Sequence, residues 1–164
     1  MQDLLPDLFD NYPNDLTLLS APWRTYGAKP LFYGEIVTVK CFEDNSMVKS
    51  ELAKKGHGKV LVVDGGGSTR RALLGDMIAL NAVENGWEGI IIYGCVRDAG
   101  TISTLDIGVQ ALGTNPIKTD KKGLGEVNVS IEIAGVSLTP GMMIYADLNG
   151  IAVSQKALDM SVLL

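Results

Sequence analysis

A continuous apolar run, GIIIYGCV (residues 89–96), constrains the fold of this chain more than any other feature. A strand with one solvated face alternates apolar and polar residues, whereas an unbroken run fits a strand covered on both faces. Such strands lie in sheets flanked by crossover helices. Upstream, KVLVVDGG (59–66) reads as a second strand that stops abruptly at three consecutive glycines. The intervening RRALLGDMIALNAVENG carries apolar residues at helical spacing, with Leu73, Met77 and Leu80 on one face and Leu74 and Ile78 beside it. Ser68 or Thr69 is placed to act as the N-cap of that helix, and Gly86 to end it. The segment therefore reads as a βαβ unit with parallel strands and a right-handed crossover.

The flanking sequence extends this unit into a mixed sheet. GEIVTVKCF (34–42) is a further strand, and MVKSELAKKG (47–56) a helix ending at Gly56. Pro6, Pro13, Pro22 and Pro30 divide the first thirty residues into one or two short helices and an irregular connection. TISTLDIGVQALG is a short apolar element, and NPIKTDKKGLGE is a polar loop. VNVSIEIAGVSLTPGMMIYADLNGIAVS alternates apolar and polar residues between Gly135, Pro140-Gly141 and Asn149-Gly150, the pattern of antiparallel strands. Residues 1–164 thus read as one α/β domain with a βαβ core and antiparallel C-terminal strands.

Charge and composition exclude several function classes. A net charge of −5 without any concentrated Lys/Arg patch does not suit a sequence-independent nucleic-acid binder. No apolar stretch approaches the roughly 18 to 20 residues of a membrane span, and the acidic start MQDLLPDLFD does not open like a signal peptide. A cytosolic setting is expected. Cys41 and Cys95 both fall in apolar runs, where a thiol is a packing residue, and two cysteines are too few for a disulfide framework or thiolate metal site. His57, the only histidine, lies in the loop KKGHGK and reads as exposed; Trp23 and Trp87 read as packing residues, and Lys121-Lys122 as a solvated loop pair.

Ligands in α/β folds gather at the carboxyl ends of parallel strands, which directs attention to two turns. In DGGGSTRR the glycines serve either a tight steric turn or an anion cradle at the following helix start, and the sequence leaves both open. In GCVRD, Arg97 and Asp98 stand together where strand gives way to loop.

The segment DGGGSTRRALLGDMIALNAVENGWEGIIIYGCVRD resembles the core signature of the RraA-like family, which includes class II 4-hydroxy-4-methyl-2-oxoglutarate aldolases and regulators of ribonuclease E. The similarity continues through LDIGVQALGTNP, KGLGE, AGVSLTPGMMIYADLNGIAVS and the early GEIVTVKCFEDN. It implies a swivelling β/β/α-type fold, assembled as a homotrimer. The family divides at an Asp followed after twenty residues by Arg-Asp, and Asp76 stands in that relation to Arg97-Asp98. Members acting only as ribonuclease regulators typically lack the second Asp of the pair, which this chain keeps. By resemblance, Asp98 anchors a divalent metal, Asp76 holds a water on that metal, and Arg97 faces the substrate's pyruvyl end. The backbone amides of Gly75, Asp76, Met77 and Ile78 cradle the substrate carboxylate.

The chemistry agrees with that assignment. Cleavage beside a 2-oxo group leaves a pyruvate enolate, whose charge a hard cation such as Mg²⁺ or Mn²⁺ stabilises. A planar guanidinium adds a fixed positive charge. No lysine falls between Gly75 and Asp98, which favours the metal route over a Schiff base. The expected activity is aldol cleavage of 4-hydroxy-4-methyl-2-oxoglutarate, with oxaloacetate decarboxylation through the same enolate. The alternative is a non-catalytic regulator that binds and inhibits ribonuclease E, toward which the short C-terminus DMSVLL leans. A methyltransferase is disfavoured because the glycine turn lacks an acidic ribose-binding residue at the usual distance.

Overall fold

The computed structural model describes residues 1–163. In chain order its elements are α1 (Leu5–Asn11), β1 (Thr17–Leu18), β2 (Arg24–Thr25), β3 (Phe32–Lys40), α2 (Ser46–Leu52) and β4 (Lys59–Asp64). There follow β5 (Ala72–Leu74), α3 (Asp76–Glu84), β6 (Gly89–Val96), α4 (Ala99–Ile102), β7 (Gly108–Thr114) and β8 (Glu126–Val127). The chain closes with β9 (Ile131–Ile133), β10 (Val136–Leu138), β11 (Met143–Asp147), β12 (Gly150–Ser154) and a 3₁₀ turn, Met160–Leu163.

A ten-stranded mixed sheet runs β1-β12-β11-β3-β4-β6-β7-β2, with β5 added to β6 and β8 to β3. Its centre is parallel: β3 with β4, β4 with β6, and β6 with β7. Both margins are antiparallel, and β9 and β10 form a separate hairpin. The continuous apolar runs have the expected cause. Leu61, Val63, Ile90 and Ile92 point into one core beneath Val48, Leu52, Ala79 and Ala82 of the helices, while Val60, Val62 and Ile91 enter a second core with Ile131, Ile133 and Ile144. Each central strand is therefore buried on both faces. A third cluster packs Leu4, Leu5 and Leu8 against Tyr145 and Ala152.

Phe32 fixes the spacing of the central strands at one end. Its ring lies across Gly89 and Gly108, where an added Cβ would come within 2.2 and 2.0 Å of it. At the far margin Asp147, almost fully buried, accepts the amides of Leu4 and Leu5 on Oδ2 and of Asn149 on Oδ1, so the start of α1 is tied to the end of β11.

Three sequence expectations need correction. The helix expected from Ser68 begins only at Asp76, after Ala72–Leu74 has joined β6 as a parallel strand. Tertiary pairing overrides the helical spacing there: Leu73 is buried in the sheet core, whereas Met77 and Leu80 are 80% and 45% exposed, and the buried face of α3 is Ala79 and Ala82. The second helix ends at Leu52 rather than Gly56, which instead lies under the Trp87 ring. The N-terminal region holds one helix and two strands of two residues each, too short to show as a pattern. His57 is exposed, and Trp23 and Trp87 pack as expected, their indole N–H groups donating to the carbonyls of Leu19 and Lys54.

Candidate active site

The pairing of β5 with β6 builds the site. Leu74 lies opposite Val96, and the Arg97 amide donates to the Leu74 carbonyl at 2.9 Å, so the strand end and the start of α3 are held side by side. One residue further, Asp98 takes a left-handed conformation, φ 56° and ψ 38°, which Asp tolerates better than most residues. That turn brings its carboxylate back over α3, where Oδ2 accepts the Asp76 amide at 3.0 Å. Gly75 permits the approach. A Cβ at this position would lie 2.9 Å from Asp98 Oδ2 and 3.3 Å from Arg97 Nε.

A cleft of about 360 Å³ opens at this junction. Gly75, Asp76, Met77, Ile78, Arg97 and Asp98 all line it, so the residues picked out by the family resemblance meet in one place, while the DGGGSTRR turn lies outside it. Arg97 and Asp98 keep side-chain exposures of 39% and 36%, and their closest approach is 3.9 Å, too long for a hydrogen bond. Both remain available to a ligand. The start of α3 adds amide groups and the positive end of a helix dipole, a setting suited to a carboxylate.

The oxygen donors of the cleft suit a divalent cation. Among the described residues no group of three or more His, Cys, Asp or Glu side chains is assembled, so a closed thiolate or imidazole centre is not available here. Asp98 and Asp76 offer oxygen ligands, with Asp98 Oδ1 free of protein donors. One or two carboxylates completed by waters and substrate suit Mg²⁺ or Mn²⁺. The residues present fit such an ion.

The second wall of the cleft was missed in the sequence. It is formed by Asn45 and Lys49 from the start of α2 and by Lys118 and Lys121 from the loop before β8. The segment from Gly75 to Asp98 holds no lysine, but three lysines from elsewhere in the chain line the cleft, hidden by sequence separation. All three are exposed.

This wall is held by a buried carboxylate. Asp44 Oδ1 accepts the Ser46 amide and hydroxyl at 2.9 and 2.6 Å, and Oδ2 accepts the amides of Lys122 and Leu124 at 2.9 and 3.1 Å. Beside it the Thr119 hydroxyl donates to Asn45 Oδ1, and Asn45 Nδ2 donates to the Leu73 carbonyl. Burial opposes ionisation of Asp44, but the four donors outweigh it and lower the carboxyl to about 2. The only sequence signal was the turn-forming run Asp44-Asn45-Ser46.

The other candidate turn is not a ligand cradle. The amides of Gly65 and Gly67 both donate to the Tyr93 carbonyl, that of Gly66 to Asp64 Oδ1 and that of Ser68 to the Gly65 carbonyl. No helix starts there to supply more, so the steric reading of the glycines is correct. Cys41 and Cys95 are free and buried; burial pushes Cys41 up to about 12, with Asp44 and Asp64 adding to the effect, and also raises Cys95. Neither is a nucleophile.

Fold and cleft together define an α/β protein with a cleft lined by Arg97, Asp76 and Asp98 at the carboxyl end of its parallel strands. The RraA-like family profile (Aldolase/RraA) matches residues 5–153, and the chain belongs to this family. A Shewanella oneidensis protein provisionally named 4-hydroxy-4-methyl-2-oxoglutarate aldolase is 60% identical, covering 99% of each chain. A Pseudomonas aeruginosa protein of the same provisional name is 55% identical over 98% of this chain and 99% of its own. Among solved structures, the RNA-processing inhibitor RraA from Thermus thermophilis superposes with a TM-score of 0.93 at 38% identity, covering 98% of both chains. A Geobacillus kaustophilus structure named S-adenosylmethionine:2-dimethylmenaquinone methyltransferase gives 0.93 at 45% identity, covering 95% of this chain and 97% of that one.

The Asp44 clamp generates a pH prediction. Its folded pKa lies below the unfolded value of about 4, so its contribution is complete above that pH and is lost as pH falls through 4 toward 2. Urea unfolding followed from pH 5 to pH 2 should show this acid loss in the wild type and a flatter profile in Asp44→Asn; identical profiles would contradict it.

Proposed function

We propose that this cleft cleaves 4-hydroxy-4-methyl-2-oxoglutarate into two molecules of pyruvate and decarboxylates oxaloacetate through the same pyruvate enolate. The observation carrying this reading is the convergence of Asp98, Arg97 and the amide-lined start of α3 on one small cleft. The substrate's C1 carboxylate lies against the start of α3 at the amides of Gly75, Met77 and Ile78, the Asp76 amide being taken by Asp98 Oδ2. Asp98, with Asp76 nearby, holds the divalent cation, which when bound supplies Lewis acidity toward the 2-oxo group.

Arg97 directs its guanidinium at the 2-oxo oxygen, where negative charge grows as the bond between C3 and C4 breaks. In the aldol reaction the Asp76 carboxylate orients a water that takes the proton of the C4 hydroxyl. The C4 oxygen then becomes the carbonyl of one pyruvate, and the bonding pair passes into the enolate. Protonation at C3 yields the second pyruvate. With oxaloacetate the same bond breaks, carbon dioxide leaves, and no base is needed at C4.

A second reading is a regulator that binds ribonuclease E, favoured by the superposition on an RNA-processing inhibitor. Retention of Asp98 favours the lyase. Methyltransfer finds no support in the glycine turn, whose amides are consumed by backbone and Asp64. Among the described residues no helix is long and apolar enough to cross a membrane. Met77 and Ile117, 80% and 50% exposed, give the region an apolar surface that a homotrimer would cover.

Asp98→Ala should abolish pyruvate release while leaving the protein folded, with a melting temperature lowered by only about 2–4 °C for the left-handed backbone at this position, and EDTA should silence the wild type until Mg²⁺ or Mn²⁺ is restored. Full activity of either sample in a coupled lactate dehydrogenase assay would remove the metal role. For Arg97, both Arg97→Ala and Arg97→Lys should lose on the order of 10²- to 10³-fold in kcat toward both substrates, because the contact strengthens in the transition state and needs a planar fork. A raised KM with unchanged kcat would make Arg97 a substrate anchor instead. Light scattering should give about three times the 17.5 kDa chain mass, and a value near 17.5 kDa at micromolar concentration would exclude the trimer.

A further inference from the structure

The strand that places the site has little ladder of its own. β5 contributes three residues, pairs as a strand only with β6, and shifts register between Ala72 and Leu74. Yet α3 must begin with the Asp76 amide within hydrogen-bonding distance of Asp98, so a further tie has to set where β5 lies.

That tie is in the loop after β7, at Asn115-Pro116. The Asn115 amide donates to the Val96 carbonyl at 2.9 Å, which fastens the residue to the last position of β6, next to Arg97. Its carboxamide then reaches in two directions. Nδ2 donates to the Thr69 carbonyl at 2.8 Å, and Oδ1 accepts the Ile117 amide at 2.9 Å, closing a turn whose backbone the Pro116 ring restricts. The turn aims the Ile117 carbonyl at the Ala72 amide, which donates to it at 2.8 Å and so holds the second edge of β5. One side chain with a donor and an acceptor in fixed geometry thus links the end of β6, the approach to β5 and its first residue. Asn115 itself does not line the cleft. Its influence passes through β5: with Ala72 held, the Leu74 carbonyl meets the Arg97 amide at 2.9 Å and the Asp76 amide meets Asp98 Oδ2 at 3.0 Å.

We propose that Asn115 is a positioning residue for the cleft, its carboxamide fixing β5 against β6 and thereby the spacing of Asp76, Arg97 and Asp98. The catalytic consequence rests on the lyase reading, whereas the placement of β5 does not. Misplacing reacting groups by about 1 Å can cost on the order of 10²-fold in rate. Groups that orient a metal ligand are worth roughly 10- to 100-fold in metal affinity. A carboxamide that only added stability would leave both quantities untouched in the folded protein.

Asn115→Ala removes both arms, while Asn115→Asp keeps the acceptor for Ile117 and sets a carboxylate oxygen against the Thr69 carbonyl. Asn85→Ala is the control, because Asn85 Nδ2 also joins separate elements, reaching the Leu52 carbonyl from the end of α3, but lies outside the cleft. Amide hydrogen exchange by NMR, Mn²⁺ binding by calorimetry and kcat for oxaloacetate at saturating Mg²⁺ are measured on the full chain well below its melting temperature. Every variant should melt about 2 to 8 °C lower. Both Asn115 variants should speed exchange at the Ala72, Asp76 and Arg97 amides, weaken Mn²⁺ binding roughly tenfold and lower kcat by roughly tenfold or more. Asn85→Ala should keep wild-type values of all three. If Asn115→Ala does not fold, Asn115→Asp decides alone. Unchanged exchange at those amides, or faster exchange with wild-type Mn²⁺ affinity and kcat, would overturn the positioning role, as would an Asn85→Ala protein that behaves like the Asn115 variants. If exchange and Mn²⁺ affinity change as expected but the wild type releases no pyruvate, the role of Asn115 stands and the lyase reading fails.

Discussion

The hydrogen bond from the Asp76 amide to Asp98 Oδ2 joins two elements that the chain itself separates by a helix and a strand. Much of the site depends on it. It orients the carboxylate, occupies one of the free amides at the start of α3, and keeps Arg97 beside Gly75 rather than extended into solvent. It forms only because β5 intervenes. A helix running straight from the glycine turn would have carried Asp76 past the end of β6, whereas three residues of parallel strand deliver it level with Val96. The geometry of the site is thus a consequence of sheet pairing, and the helix inherits its starting point from a strand.

The parts legible in the sequence were those with a dominant local signal. Continuous apolar runs gave the central parallel strands because burial on both faces leaves no room for polar alternation, and the alternating C-terminal stretch gave its antiparallel strands for the converse reason. Ala72–Leu74 was illegible because three apolar residues fit a helix and a strand equally well, and only the partner strand decides. The lysine wall was hidden for a different reason. Lys49 and Lys118 are far apart in the chain, and what unites them is a buried Asp-Asn-Thr cluster whose hydrogen bonds no periodicity records. Resemblance located the Asp76 and Arg97-Asp98 residues but carried no information about the opposite wall.

The two walls are stabilised differently. The wall bearing Arg97 and Asp98 is an extension of the sheet, backed by Leu73, Leu74 and Val96 in the core. The lysine wall joins α2, anchored by Val48 and Leu52 in the core, to a loop whose order comes from polar bonds to one carboxylate and one amide side chain. Covalently distant cations are thus brought to a common cleft without apolar burial of their own, which leaves them wet, charged and free to follow a ligand.

The left-handed backbone at Asp98 has an evolutionary consequence. Most side chains are disfavoured there, alanine by about 1 kcal/mol or more, but asparagine and glycine are not. Either replacement removes the carboxylate with little conformational cost, and glycine would relieve the strained turn altogether. Loss of this acid is therefore a gentle change for the backbone, and a descendant stripped of it would keep its sheet and its surface while losing the bond that orders the cleft. Such a scaffold can pass from one occupation to another without first becoming unstable.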